Sequence, residues 1–396
     1  MRINVPYFPE HADMARDLLD ATRKNGGLAP LDIERFWASQ EEASKDPFGA
    51  DIPQVPLRAI LTGECVYDEL GVKEDCWRYM HDEPWRLELN RAFNDKAEEI
   101  VGRRLLPQEP SDPARVWPQV KGLHDVFEAK NIWHDQSWWL MQSASSEDEL
   151  RALLDRVDQR DIRAFILPDN WDQEKERLRA LGVESPLYRG QRGPVTFAAS
   201  IYGAERLIEL ILINPDLAER FRDTILRVML DIARVLDEEA GYTPDTAPRG
   251  FGFADDNCCL LTPDMYEFFG YPILKGIFER YSPNPEDKRY QHSDSAMGHL
   301  LPILGRLNMT GCNFGPTVLA DQIRAHMPRA VIYGVMAPFT YCRNDEEGII
   351  LEFLRDFEMT RASRGLCFAT AGSINNGTRL TSMRLVMAAI QRFGQY

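Results

Sequence analysis

From about residue 130 onward the chain repeats one phrase, a short apolar run, a polar turn and an amphipathic helix, and this repetition limits its fold more than any other feature. Apolar runs at 132–141, 162–167, 195–200, 250–254, 288–292, 310–314, 331–335 and 366–370 read as eight strands. Helix starts between them are marked by chemistry. Ser146 and Glu149 form a capping box ahead of Leu150, Leu153, Leu154 and Val157, which share one helical face. Asn214-Pro215 and Thr262-Pro263 each put a capping side chain before a proline at the first helical position. Eight strand–helix units predict an α/β fold, a (β/α)8 TIM barrel over residues 131–396. Residues 1–130 carry no such rhythm and read as an N-terminal extension, a lid or a dimer arm. A doubly wound sheet would carry a glycine-rich phosphate turn after its first strand, and the chain has neither G-x-G-x-x-G nor G-x-x-x-x-G-K-[ST].

A formal net charge of -16 sets the partners such a barrel would meet. It repels phosphate backbones and anionic bilayers, which argues against nucleic acid and membrane, and it disfavours large polyanions unless a local basic pocket overrides the field. The seven cysteines are scattered and form no C-x-x-C pair, so neither a disulfide framework nor a zinc ribbon is expected. Charges stand where a signal peptide needs its apolar core, and no window is long and apolar enough to span a membrane. A cytoplasmic enzyme with a small-molecule substrate, and homodimerisation, are the expectations.

In such a barrel the C-terminal strand ends converge on one mouth. The residues following the strands are Asp169 and Asn170, Ser200 and Tyr202, Asp255 to Asn257, His292 to Asp294, Cys312 and Asn313, and Thr370, Ser373, Asn375 and Asn376. Asp255 and Asp256 are adjacent carboxylates whose repulsion would raise one pKa, suiting it to acid–base work. His292 and Asp294 alternate along an extended chain, so both can point one way, to shuttle protons or to hold a metal. The candidate catalytic residues are therefore Asp255, Asp256, His292 and Asp294. The candidate substrate contacts are Tyr202, Asn257, Ser293, Asn313, Thr370 and Asn375, and the candidate metal ligands are His292 and Asp294. Arg189 and Arg192 precede the 195–200 run and so are expected at the opposite end of the barrel.

The run GFADDNCCLLTPDMYEFFGYPILKGIF (252–278), HSD at 292–294, GCNFGP at 311–316 and GLCFATAGSINNGT at 365–378 resemble the uroporphyrinogen decarboxylase superfamily, which includes cobalamin-dependent methyltransferases. The resemblance covers roughly residues 190–396 and implies a (β/α)8 barrel. It implies a corrinoid-linked methyltransferase, with the corrinoid on a partner protein and a divalent metal, zinc, at the mouth. The zinc branch has His-x-Cys where this chain has His292 and Asp294, and a second Cys where it has Gly372. The decarboxylases' Arg-Gln-Ala-Gly-Arg segment is not found, which leaves a carboxy-lyase as the alternative, beside a hydrolase or a non-catalytic binder on the same barrel.

Overall fold

The computed structural model describes residues 4–372 and 376–396. Among them, six short strands run parallel in the order β3 (Gly190–Arg192), β4 (Phe251–Ala254), β5 (Arg289–Ser293), β6 (Gly311–Phe314), β7 (Val331–Tyr333) and β8 (Leu366–Cys367). Helices follow most of them. The last five strand readings and the helices after them stand where the periodicity put them, to within a few residues.

The first three readings do not. The 132–141 run is two strands, β1 (Lys130–His134) and β2 (Ser137–Met141), paired antiparallel in a hairpin apart from the main sheet. Its turn residues, Asp135 and Gln136, both have positive φ (48° and 60°), the backbone of a tight two-residue turn, without the glycine that usually announces one. The 162–167 run is a helical turn, Ile162–Ile166, whose N–H groups begin on the Asp161 carboxylate. The 195–200 run lies inside a helix, Pro194–Tyr202, opened by proline at its first position. The strand that belongs there, β3, comes just before it.

The chain divides into two compact units. One runs to Pro110 and takes in Ser293–Leu301 and Thr310–Tyr396. It includes β6 to β8, with the helices Glu83–Val101, Glu346–Thr360 and Leu380–Phe393 packed together. Arg384 is nearly buried, and its guanidinium donates to the carbonyls of Ala29 and Ile100. Within this unit the 55–59 segment lies parallel to β8. Leu57 bridges Phe368, and the N–H groups of Arg58 and Ala59 both donate to the Phe368 carbonyl. On the helix side of β8, Phe368 meets Phe353 edge to face at 5.0 Å between ring centroids.

The other unit spans Ser111–His292 and Pro302–Met309. It carries the hairpin, β3, β4 and nearly all of β5, with the long helix Pro215–Ala240 packed on the helix Pro263–Tyr281. Ser146 accepts the Glu149 N–H as the sequence predicts, while the Glu149 carboxylate turns to Ser145. Phe253 of β4 packs on Phe278 at 5.7 Å, which fixes the helix-facing side of the strands.

Candidate active site

Register decides which side chains share a face. In the second unit Gly190, Gly252 and Tyr290 form one row across β3, β4 and β5, and Arg192, Ala254 and His292 form the next. Gln191, Phe253 and Gln291 alternate with them on the helix side. His292 therefore faces away from the helices at the C-terminal end of β5. Its Nε2 stands 3.8 Å from the Asp256 carboxylate. That places a candidate proton carrier beside a group that would stabilise its charged form.

Asp255 goes elsewhere. It is wholly buried, and its Oδ1 accepts the Thr196 N–H at 2.7 Å, in the first turn of the helix Pro194–Tyr202. Burial raises its pKa to about 6, and the neighbouring Asp256 charge adds to this less than burial does. The direction is the one expected from the sequence, but the cause is desolvation rather than crowding. Gly193 makes this contact possible, because a Cβ there would fall on the Asp255 side chain. Asn257 is tied to the same helix, its N–H donating to Thr196 Oγ1 at 2.9 Å. Of the three residues after β4, the outer two bind the helix start and Asp256 turns to His292. Tyr202 is buried at the far end of that helix, with Arg206 over its ring at 5.8 Å.

Arg192 was missed. The misplaced strand at 195–200 sent it to the wrong end of the sheet, whereas it ends β3 at the level of His292. Arg189, just before the strand, is where the sequence puts it, and binds Asp237 at 2.5 Å. Tyr290 was recoverable from the alternation that already placed His292.

The first unit gathers its own polar set. Ser293 ends β5, fully buried, with its Oγ 2.7 Å from Ser295 Oγ. Asn313, at the end of β6, is a staple between strand ends: its amide nitrogen donates to the carbonyls of Tyr333 and Thr370, and its oxygen accepts the Gly372 N–H at 3.0 Å. Thr370 Oγ1 donates to the Gly372 carbonyl at 2.9 Å. The Asp294 carboxylate occupies the space that a side chain at residue 372 would need. Asn375 lies outside the described residues.

A zinc ion held by thiolates does not fit these residues. Gly372 has φ +94°, and any side chain there would collide with Asp294. Cys312 and Cys367 are buried, with pKa values pushed up to about 12 by desolvation, the reverse of a metal-binding thiolate.

Comparison with known proteins gives the fold and the family. A solved methyltransferase from Methanosarcina mazei is similar over 89% of this chain and 98% of its own, with a TM-score of 0.52 and 17% identity. No curated protein matches the chain in sequence. The fold is a TIM barrel, whose registered strands among the described residues are the six of the parallel sheet. The model of the family described as uroporphyrinogen decarboxylase (URO-D) matches residues 175–393, more than half of the sequence, and the chain belongs to that family.

Proposed function

We propose that this chain is a methyltransferase acting on a small molecule, with a corrinoid on a separate protein as the other methyl carrier. The observation that supports it is the His292–Asp256 pair on the inner face at the C-terminal end of β5. The corrinoid would supply the methyl group, its own bond to that carbon breaking with the electron pair left on the carrier. His292 takes the proton that the acceptor's S–H, O–H or N–H loses as the new bond to carbon forms. Asp256 steadies the resulting imidazolium, and with Asp255 committed to the helix start the carboxylate work falls to Asp256. The Methanosarcina mazei neighbour bears the same activity in its name, which agrees with this reading without carrying it.

The test is methyl transfer from methylcobalamin to a panel of thiol, phenol and amine acceptors. The wild type should methylate at least one of them, and His292→Ala should lower kcat by about 10²–10⁴-fold, the usual contribution of a general base. No transfer to any acceptor would sink the proposal.

The carboxy-lyase reading has one observation in its favour, Arg192 at the level of His292. Asp256 would then protonate the carbon that loses carbon dioxide. Carbon dioxide release from uroporphyrinogen by the wild type, abolished in Asp256→Asn, would put this reading first.

A further inference from the structure

The inner face of the second unit is basic in a chain that is strongly acidic. Arg192 ends β3, and among the described residues its guanidinium donates only to a hydroxyl, Ser200 Oγ at 3.0 Å. Lys288, two residues before Tyr290 and so on the same face, lays its ammonium 5.4 Å from the Tyr290 ring centroid. Neither makes an ion pair among the described residues. Within the unit Arg163, Arg189, Arg220 and Arg227 each bind a carboxylate, and Arg179, Arg249 and Arg280 spend their guanidinium groups on backbone carbonyls. Among the described residues the charges of Arg192 and Lys288 are thus left without a carboxylate partner, on the face that carries His292.

The same face is cleared of bulk. A Cβ on Gly190 would meet nothing nearer than a carbonyl oxygen 3.7 Å away, and Gly252 lets the Tyr290 ring lie across β4. We propose that this face is a binding site for a small organic anion, held by its carboxylate. Arg192 grips the carboxylate through its two parallel N–H groups, Lys288 adds charge, and Tyr290 forms a flat wall over the two glycines. This deepens the functional reading above and rests on it in one respect, that His292 and Asp256 act on the same bound molecule.

The test is direct binding to the full chain by titration calorimetry. The probes are benzoate and succinate, set against their neutral amides, benzamide and succinamide. At least one acid should bind, and bind tighter than its amide, with affinity falling as salt rises. Arg192→Gln should weaken it tenfold to a hundredfold, the range for a lost charge-assisted pair. Arg192→Lys should restore part of that, and Arg249→Gln, off this face, should change nothing. Lys288→Gln is a second variant should Arg192→Gln melt early by circular dichroism, and it should weaken the acid in the same direction. Neither acid binding, an acid and its amide binding alike, or both variants binding as the wild type would overturn the proposal. An acid bound through Arg192 with no methyl transfer would leave this site standing and remove the methyltransferase. Transfer to neutral acceptors with no preference for acids would do the reverse.

Discussion

Asp255 shows how one side chain is claimed by its surroundings. A carboxylate at a helix start accepts N–H groups that have no partner in the helix, and this one does so from another element, fully buried. Asp255→Ala should destabilise the chain by about 1–3 kcal/mol, the cost of leaving a buried donor unmet, read by urea unfolding. Gly372 makes the complementary case. With φ +94° and the Asp294 carboxylate against it, Gly372→Ala should cost about 1–3 kcal/mol and lower the melting temperature, whereas Gly182→Ala, also at positive φ but in open space, should cost less. Gly372→Cys, which would complete half of a thiolate pair, should destabilise for the same reason and gain no stoichiometric zinc by elemental analysis.

Elements are held to one another by buried polar groups, and Glu352 is the clearest. It sits on the helix Glu346–Thr360, fully buried, accepting the Ala337 N–H at 2.7 Å and the Thr340 hydroxyl at 2.6 Å. Burial raises its pKa to about 7, well above an ordinary glutamate. The folded state therefore holds a proton that the unfolded chain has released. This contribution to stability is full below the unfolded value and is lost as pH rises through about 7. Glu352→Gln can accept from Ala337 and donate to the Thr340 hydroxyl. It should be more stable than the wild type above pH ~8, by about 1–3 kcal/mol, and should lose that advantage in mild acid. Thermal melts of both proteins across pH would show the curves converge.

Across the whole molecule, the sheet depends on pairings far apart in sequence. Phe368 packs on Phe353 while its backbone bonds the 56–59 segment, some three hundred residues earlier. Phe368→Ala should cost about 3–5 kcal/mol, the range for emptying an aromatic site in a core, read by urea unfolding. No helix among the described residues is long and apolar enough to cross a membrane. The overall charge of -16 still disfavours large polyanions, and the basic inner face around Arg192 is the local exception that would admit a small one.

The sequence by itself determined the α/β class, the strands from β4 to β8 with the helices between them, and His292 on a strand face. Those elements carry their own periodicity and their own caps, as at Asn214-Pro215 and Thr262-Pro263, so local chemistry suffices to read them. Only the tertiary structure decided that residues 195–200 are helix, since a run of six mostly small and apolar residues suits either state and the Asp255 carboxylate that steadies the helix start comes from fifty-nine residues away. It alone separated Asp255 from Asp256, burying one and turning the other to His292, because two adjacent side chains are told apart by what each packs against. It brought Arg192 to the level of His292 for the same reason: strand register is a relation between segments, and no one segment contains it.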